Sequence, residues 1–452
     1  MENLGQSLPL WSCIPFVGML LCIAVLPLVR EEWWEHYKPV VVLFWSALFF
    51  IPFLWAYGAH TAFEELAETV IGDYLTFIVL LFGLFTVAGN IAVEGNLRGK
   101  PSTNVLLLLI GTLLSSWVGT TGASMIMIRP VIEANKWRKS KQQVVVFFIF
   151  LVSNIGGCLT PVGDPPLLMG FMRGVPFTWS FHLAPVLFLN MAILLTIFYF
   201  LDRRALKKDL AAGLVEPPKE KTKIHIAGAH NFIFIAMIVL AVLLSGILPG
   251  LSAFQDASGN TLGIHIIGEV TLTYPSLIEI GMILLAALLS YKTTRKEVRE
   301  FNHFTWGAIQ EVAVLFIGIF ITMIPALLIL KARGASLGLN TPAQMFWTTG
   351  ALSSFLDNTP TYLVFLTTAG TLGASSGLAT TVGTITVKML MAISCGAVFM
   401  GANTYIGNAP NFMVCSIAQE NEIRMPSFFG YMLWSLCFLI PTFLIDMLVF
   451  FL

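Results

Sequence analysis

"SNIGGCLTPVGDPP", residues 153–166, decides how the chain is read. Nine of the ten residues before it (143–152) are apolar, so it stands where a membrane-spanning helix should continue. Yet it holds Asn154, three glycines, three prolines and Asp164. Glycine and proline break helices, and a bilayer tolerates broken backbone only where protein or a watery cavity satisfies the freed amides and carbonyls. A carboxylate at that depth costs about 2.5–3.5 kcal/mol on insertion scales and marks a functional site by default. The stretch reads as a helix interrupted for a purpose.

The surrounding composition agrees. Of 452 residues, 57 % are hydrophobic and 11 % charged, where a soluble domain carries about 25 % charge. The chain is therefore expected to be an all-α polytopic membrane protein. Formal net charge is zero, which excludes an electrostatic case for nucleic acid. The six cysteines lie in apolar stretches without CxxC pairing and read as small buried hydrophobes. "MENLGQSLPLW" has an acid and no base, unlike a signal peptide, so the first apolar segment is expected to stay.

A spanning helix needs about 20 apolar residues. Ten stretches qualify: 9–29, 39–58, 72–97, 143–168, 179–201, 230–250, 273–291, 304–330, 384–413 and 428–451. Two more, 104–128 and 342–368, are cut at mid-length by polar residues and glycine, and each arm should cross half a membrane. Both are read as re-entrant hairpins. With both termini outside, this topology puts 21 Lys and Arg residues inside and 3 outside, with Lys388 early in its helix, as the positive-inside rule requires. Residues 202–229 read as a solvated cytoplasmic linker. His225 and His230 in it lack companions at metal-ligand spacing.

The halves, 1–201 and 230–452, echo each other. "LFGLFTV" (81–87) parallels "FIGIFIT" (316–322), "SSWVGTTG" (115–122) parallels "SSFLDNTP" (353–360), and "TPVGDPPLLM" (160–169) parallels "TYIGNAPNFM" (404–413). Each half has five crossings and one hairpin; five is odd, so the second half is inverted. Inverted repeats with broken helices are the architecture of secondary transporters, with the site near the midplane.

Two hairpin tips and two breaks should converge there. The tips supply Ser115, Ser116, Thr120 and Thr121, then Ser353, Ser354, Asp357, Asn358 and Thr359. The breaks supply Asn154, Thr160, Gly163 and Asp164, then Asn403, Thr404, Gly407, Asn408 and Asn411. All are oxygen donors or backbone-freeing residues, the ligands that hard cations such as sodium or lithium take, and no Lys or Arg lies within these segments. Asp164 before Pro165 could instead cap a helix. For Asp357 capping is the weaker reading, because Thr359 before Pro360 can fill that role. Proton and cation would compete for the same carboxylate oxygens, the minimal chemistry of a cation/proton antiporter. No cofactor and no enzyme chemistry are expected. Glu279 and Glu311 sit near helix ends and are expected to reach the interface or shape an access path. Glu94, beside Arg98 and Lys100, and Asp446 near the last helix end are expected to be solvated or paired. The histidines 36, 60, 182, 265 and 303 fall at expected helix ends or in loops.

With these motifs in view, the chain resembles the ion transporter superfamily, which includes NhaD-type sodium/proton antiporters, citrate–metal symporters and the arsenite pump. "SNIGGCLTPVGDPP" is similar to its SNIGG…P-[IV]-GD signature, and "SSFLDNTP" to its S-x-x-x-DN-x-P hairpin. The resemblance is specific over 81–170 and 310–425. It implies a scaffold and a mobile domain of hairpins and broken helices, an elevator-like movement and a homodimer. Asp164, Asp357 and Asn358 would then be cation and proton ligands, with Asn154, Thr359 and Asn408 near them. "GANTYIGNAPN" is a variant associated with citrate transporters, which makes citrate or another carboxylate the alternative substrate, followed by an arsenite-like solute. An intramembrane aspartyl protease also needs two membrane aspartates, but the chain has "PVGD" for GxGD and "LD" for YD.

Overall fold

A computed structural model describes residues 2–95, 97–216, 224–302 and 304–452. His303 and Lys219, Lys221 and Lys223 of the expected linker lie outside the described residues. In the first half the helices are α1 (Glu2–Ser7), α2 (Ile14–Val29), α3 (Glu31–Tyr57), α4 (Ala59–Ala67), α5 (Leu75–Gly89), α6 (Pro101–Val118), α7 (Thr120–Ala134), α8 (Gln142–Leu151), α9 (Pro165–Met172) and α10 (Ala184–Ala211). In the second they are α11 (Asn231–Ile247), α12 (Tyr274–Thr293), α13 (Lys296–Phe301), α14 (Gly307–Arg333), α15 (Pro342–Ser353), α16 (Asn358–Gly370), α17 (Val387–Met400), α18 (Ala409–Glu420) and α19 (Phe428–Asp446). Three two-stranded antiparallel ribbons and several short 3-10 and π-helical turns join them. The protein is an all-α polytopic membrane protein, with ten described helical stretches long and apolar enough to cross a bilayer.

Burial orders these helices. The apolar stretch Gln142–Leu159 is 89 % buried inside the protein, against 22 % for His36–Tyr57 and for Asn231–Gly250. Hence the helix that leads into the first break is central, while α3 and α11 present apolar side chains outward, as a lipid-facing surface demands.

Helices α6 and α7 meet at the single residue Gly119, whose φ of 80° suits glycine. The far ends come together again. Gly99 N donates to Ala134 O at 2.7 Å, and Asn104 and Asn135 exchange side-chain amide bonds of 2.9 and 2.8 Å. The chain thus runs out and back. One expectation needs correcting: α6 has 18 residues, or about 27 Å, more than half a membrane. In the second pair α15 and α16, of 12 and 13 residues, are joined through Ser354–Asp357.

The base of the first pair is locked to α10. Arg138 pairs with Asp202 at 2.7 Å, both side chains fully buried. Asn104 (3.0 Å) and Gln143 (2.8 Å) add donors to the same carboxylate. Ser140 binds Asp209 through its N–H at 2.9 Å and its hydroxyl at 2.7 Å. The start of the expected linker is thus helical and anchored on one face: α10 continues to Ala211 with Asp202 and Asp209 buried, while Arg203, Arg204, Lys207 and Lys208 remain exposed. Farther on, β2 (Ile224–Ala227) pairs with β1 (Ala92–Gly95) and places His225 opposite Glu94. Arg98 and Lys100 bond Glu216, at 3.8 and 2.8 Å. His60, the second residue of α4, sits at a helix end as expected, whereas His36 lies within α3 and His265 in the strand β3 (Gly263–Ile267).

Candidate functional site

Glycine and proline do at both breaks what composition requires. After α8 the chain passes through a 3-10 turn, Ile155–Leu159, and resumes as α9 at Pro165; after α17 it passes through Gly401–Asn403 and resumes as α18 at Ala409. The freed carbonyls are satisfied by hairpin hydroxyls. Ser115 Oγ donates to Val152 O at 2.6 Å and Ser116 Oγ to Gly156 O at 2.5 Å. In the second half Ser353 Oγ donates to Ala397 O at 2.6 Å and Ser354 Oγ to Met400 O at 3.1 Å. Thr160 returns a bond to Ser116 O, and Thr404 binds Ser354 O at 2.5 Å. Five of the sequence-selected hydroxyls therefore fasten hairpin to break with their shortest bond, while Ser354 shares its proton with Gly350 O of its own helix at 2.7 Å.

Close approach at each crossing needs glycine. A Cβ on Gly163 would lie 2.2 Å from Gly157 O and 2.9 Å from Ser116 Cα; one on Gly407 would lie 2.5 Å from Gly401 O and 2.8 Å from Ser353 O. Backbone occupies both sides, so Gly163→Ala is expected to cost about 1–3 kcal/mol. It should lower the melting temperature in detergent, whereas Gly281→Ala, with nothing within 4 Å of the new carbon, should not.

Asp164 is the centre of the arrangement. It is fully buried and stands at the N-cap position of α9 with extended backbone, but its side chain makes no capping bond. Its oxygens accept instead from Thr120 Oγ1 (2.9 Å), Asn358 Nδ2 (2.7 Å) and Asn408 Nδ2 (3.4 Å). These donors come from the first tip, the second tip and the second break. Asn408 also donates to Asn154 Oδ1 at 3.2 Å, and Asn154 donates to Asn411 Oδ1 at 2.6 Å, which ties the two breaks together. Among the described residues no Lys or Arg forms an ion pair with Asp164. A neutral shell of donors can orient a carboxylate, but it does not neutralise one.

Asp357 behaves otherwise. Its Oδ1 accepts from Thr359 N at 3.0 Å and so caps α16, the role expected of Thr359. The physical reason is position: Asp357 precedes the first helical residue, while Thr359 already lies inside α16 and turns its hydroxyl to Asn358 Oδ1 at 3.4 Å. Asp357 is partly buried and faces a cavity of about 310 Å³. Thr120, Thr121, Gly163 and Asn408 line the same cavity, opposite apolar side chains of α5 and α14 such as Leu84, Phe316 and Ile319. Glu311 also lines it and pairs with Lys38 at 3.0 Å, in keeping with an access path. Glu279 does not reach an interface: it is 3 % exposed, because α11 and α5 cover it. Asn403 bonds Ser354 Oγ at 2.9 Å and leaves its own Oδ1 without a partner. Sequence reasoning missed Tyr405, which walls the cavity; an aromatic inside a glycine-rich break was the available signal.

Residues 5–451 match the family model described as "Putative citrate transport". The chain belongs to this citrate-transport family. The match runs through both hairpins and both breaks, so it covers the two motifs and everything between them. It fits a citrate transporter-like domain of the ion transporter superfamily, the group the motifs resemble. No curated protein matches the chain. A citrate-transport family member with ten apolar spanning stretches is a multi-pass membrane protein and a secondary transporter.

Proposed function

We propose that this member of the citrate-transport family is a sodium- or lithium-coupled proton antiporter, with Asp164 occupied alternately by cation and proton. The observation that carries the reading is the neutral cage around Asp164. An enclosed carboxylate with three neutral donors and no fixed base is balanced by a bound proton or by a mobile cation. Asp357, Thr120 and Asn408 offer further oxygens at the cavity wall. On this reading Asp164 and Asp357 form the sodium site, transported sodium or lithium is the only ligand, and no cofactor takes part.

The repeated bonds of the two crossings, with Ser115 and Ser116 matching Ser353 and Ser354, support two repeats of five spans plus one re-entrant hairpin each. In the orientation set by the basic residues, both termini lie outside a cell membrane, and hairpins and breaks move against α5 and α14 in an elevator-like step, as a homodimer. Sodium- or proton-coupled transport of citrate or another carboxylate is the second reading. The family description and a cavity roomier than a bare ion needs both favour it.

Inverted vesicles carrying a pH dye separate the two. Sodium or lithium alone should dissipate an imposed pH gradient. Uptake of labelled citrate without that response would replace the antiport reading with the second.

A further inference from the structure

A second buried carboxylate lies away from the cavity. Ala184 opens α10 and Phe428 opens α19, and Asp202 and Asp446 both stand eighteen residues on. They are repeat counterparts in opposite circumstances. Asp202 has the Arg138 guanidinium, Asn104 and Gln143. Asp446 is just as buried, yet among the described residues its hydrogen-bond partner is the single Asn190 Nδ2, 2.8 Å from each carboxylate oxygen. Asn190 Oδ1, buried in the same contact, has no partner. Asp446 is thus neither solvated nor paired with a base, contrary to the sequence expectation. A π-helical turn, Met447–Phe451, begins right after it; such turns are rare and often mark functional positions.

Among the described residues none forms an ion pair with Asp446. From α10 the facing group is Asn190, and from α17 it is the buried Cys395 thiol. Lys388, also on α17, is exposed and donates to Leu452 O at 2.8 Å. The arm α15 contributes Trp347, whose indole meets Met447 Sδ at 3.0 Å. A bare carboxylate in this setting carries the full desolvation cost, and a proton removes it.

We propose that Asp446, held by Asn190, is a second proton-binding site, separate from the Asp164 cage, at the far end of the α10–α19 contact. Protonation proceeds with no other bond made or broken: the carboxylate takes one proton from water and returns it. The uncharged acid can donate to Asn190 Oδ1 once that amide turns, which gives the orphan acceptor its partner. The site's position on the outer side rests on the orientation proposed above; its protonation does not, nor does it depend on what Asp164 carries.

Infrared difference spectroscopy tests this on the full-length protein in lipid nanodiscs, with Asp164→Asn and Asp357→Asn as the parent so that the two acids of the proposed cation site are silent. The parent should show a carboxylic-acid carbonyl band that fades from mildly acidic to mildly alkaline pH, and Asp446→Asn should remove it. The isosteric Asn keeps an acceptor for Asn190. In the same parent, deuterium exchange should shift this band, which assigns it to a carboxylic acid without the Asp446 variant. Identical spectra for parent and Asp446→Asn, or a band that does not change with pH, would overturn the proposal. Neither outcome depends on sodium movement, so failure here is distinguishable from failure of the antiport reading.

Discussion

Asp164→Asn is expected to cut cation-driven proton movement by about a hundredfold while leaving the protein folded. Asn has the same shape, and its carbonyl can still accept from Thr120. What disappears is the negative charge that holds either cation or proton. Interactions with a charged group are worth up to about 3 kcal/mol, and that upper figure corresponds to about a hundredfold. Asp357→Asn should do less, because Asn caps a helix about as well as Asp does and Asp357 is only half-buried at the cavity wall. Initial rates of both variants in the same vesicles, normalised to protein inserted, give the comparison. Equal losses would mean that the two acids share the load, and an unaffected Asp164→Asn would remove the cage from the mechanism.

The largest stability effect is expected at the buried pair that locks the hairpin base. Arg138→Met leaves the Asp202 carboxylate with Asn104 and Gln143 alone, inside protein with no access to water. Removing one partner of such a pair costs about 3–5 kcal/mol, chiefly because the other charge is stranded. Combining Arg138→Met with Asp202→Asn should recover most of the loss, since the remaining amides can bond a neutral side chain. Thermal unfolding in detergent of the two single variants and the double variant measures the difference. A double variant no more stable than Arg138→Met would show that the guanidinium acts through packing rather than by balancing Asp202.

How far residues alone foretell this site depends on the kind of residue. Interruptions are legible because glycine and proline act locally: both breaks and the tip at Gly119 lie within the stretches expected from composition. The meeting of Asp164 with Asn358 and Asn408 followed from the repeat, which places tips and breaks at one depth. Local chemistry also misled. Thr359 before Pro360 looked like the cap, but helix α16 begins two residues earlier and Asp357 takes the bond. Long-range pairings left no trace in spacing. Arg138 and Asp202 are 64 residues apart, and Asn190 and Asp446 are 256 apart. Their burial is decided by which helix faces pack, so residue 202 looked like the start of a solvated linker and residue 446 like an interfacial helix end. The length of α6 was likewise missed, because the polar residues and glycines of 115–122 read as a cut at mid-length, whereas the helix runs unbroken from Pro101 to Val118.

The exchange of proton for cation on one carboxylate can be measured without transport. Sodium is titrated calorimetrically into the purified protein in buffers of differing ionisation enthalpy, at several pH values. The account predicts that each binding event releases a proton to the buffer, that apparent affinity falls about tenfold per pH unit on the acid side for one-for-one competition, and that Asp164→Asn abolishes both. Sodium binding whose heat is independent of buffer and whose affinity is independent of pH would contradict it.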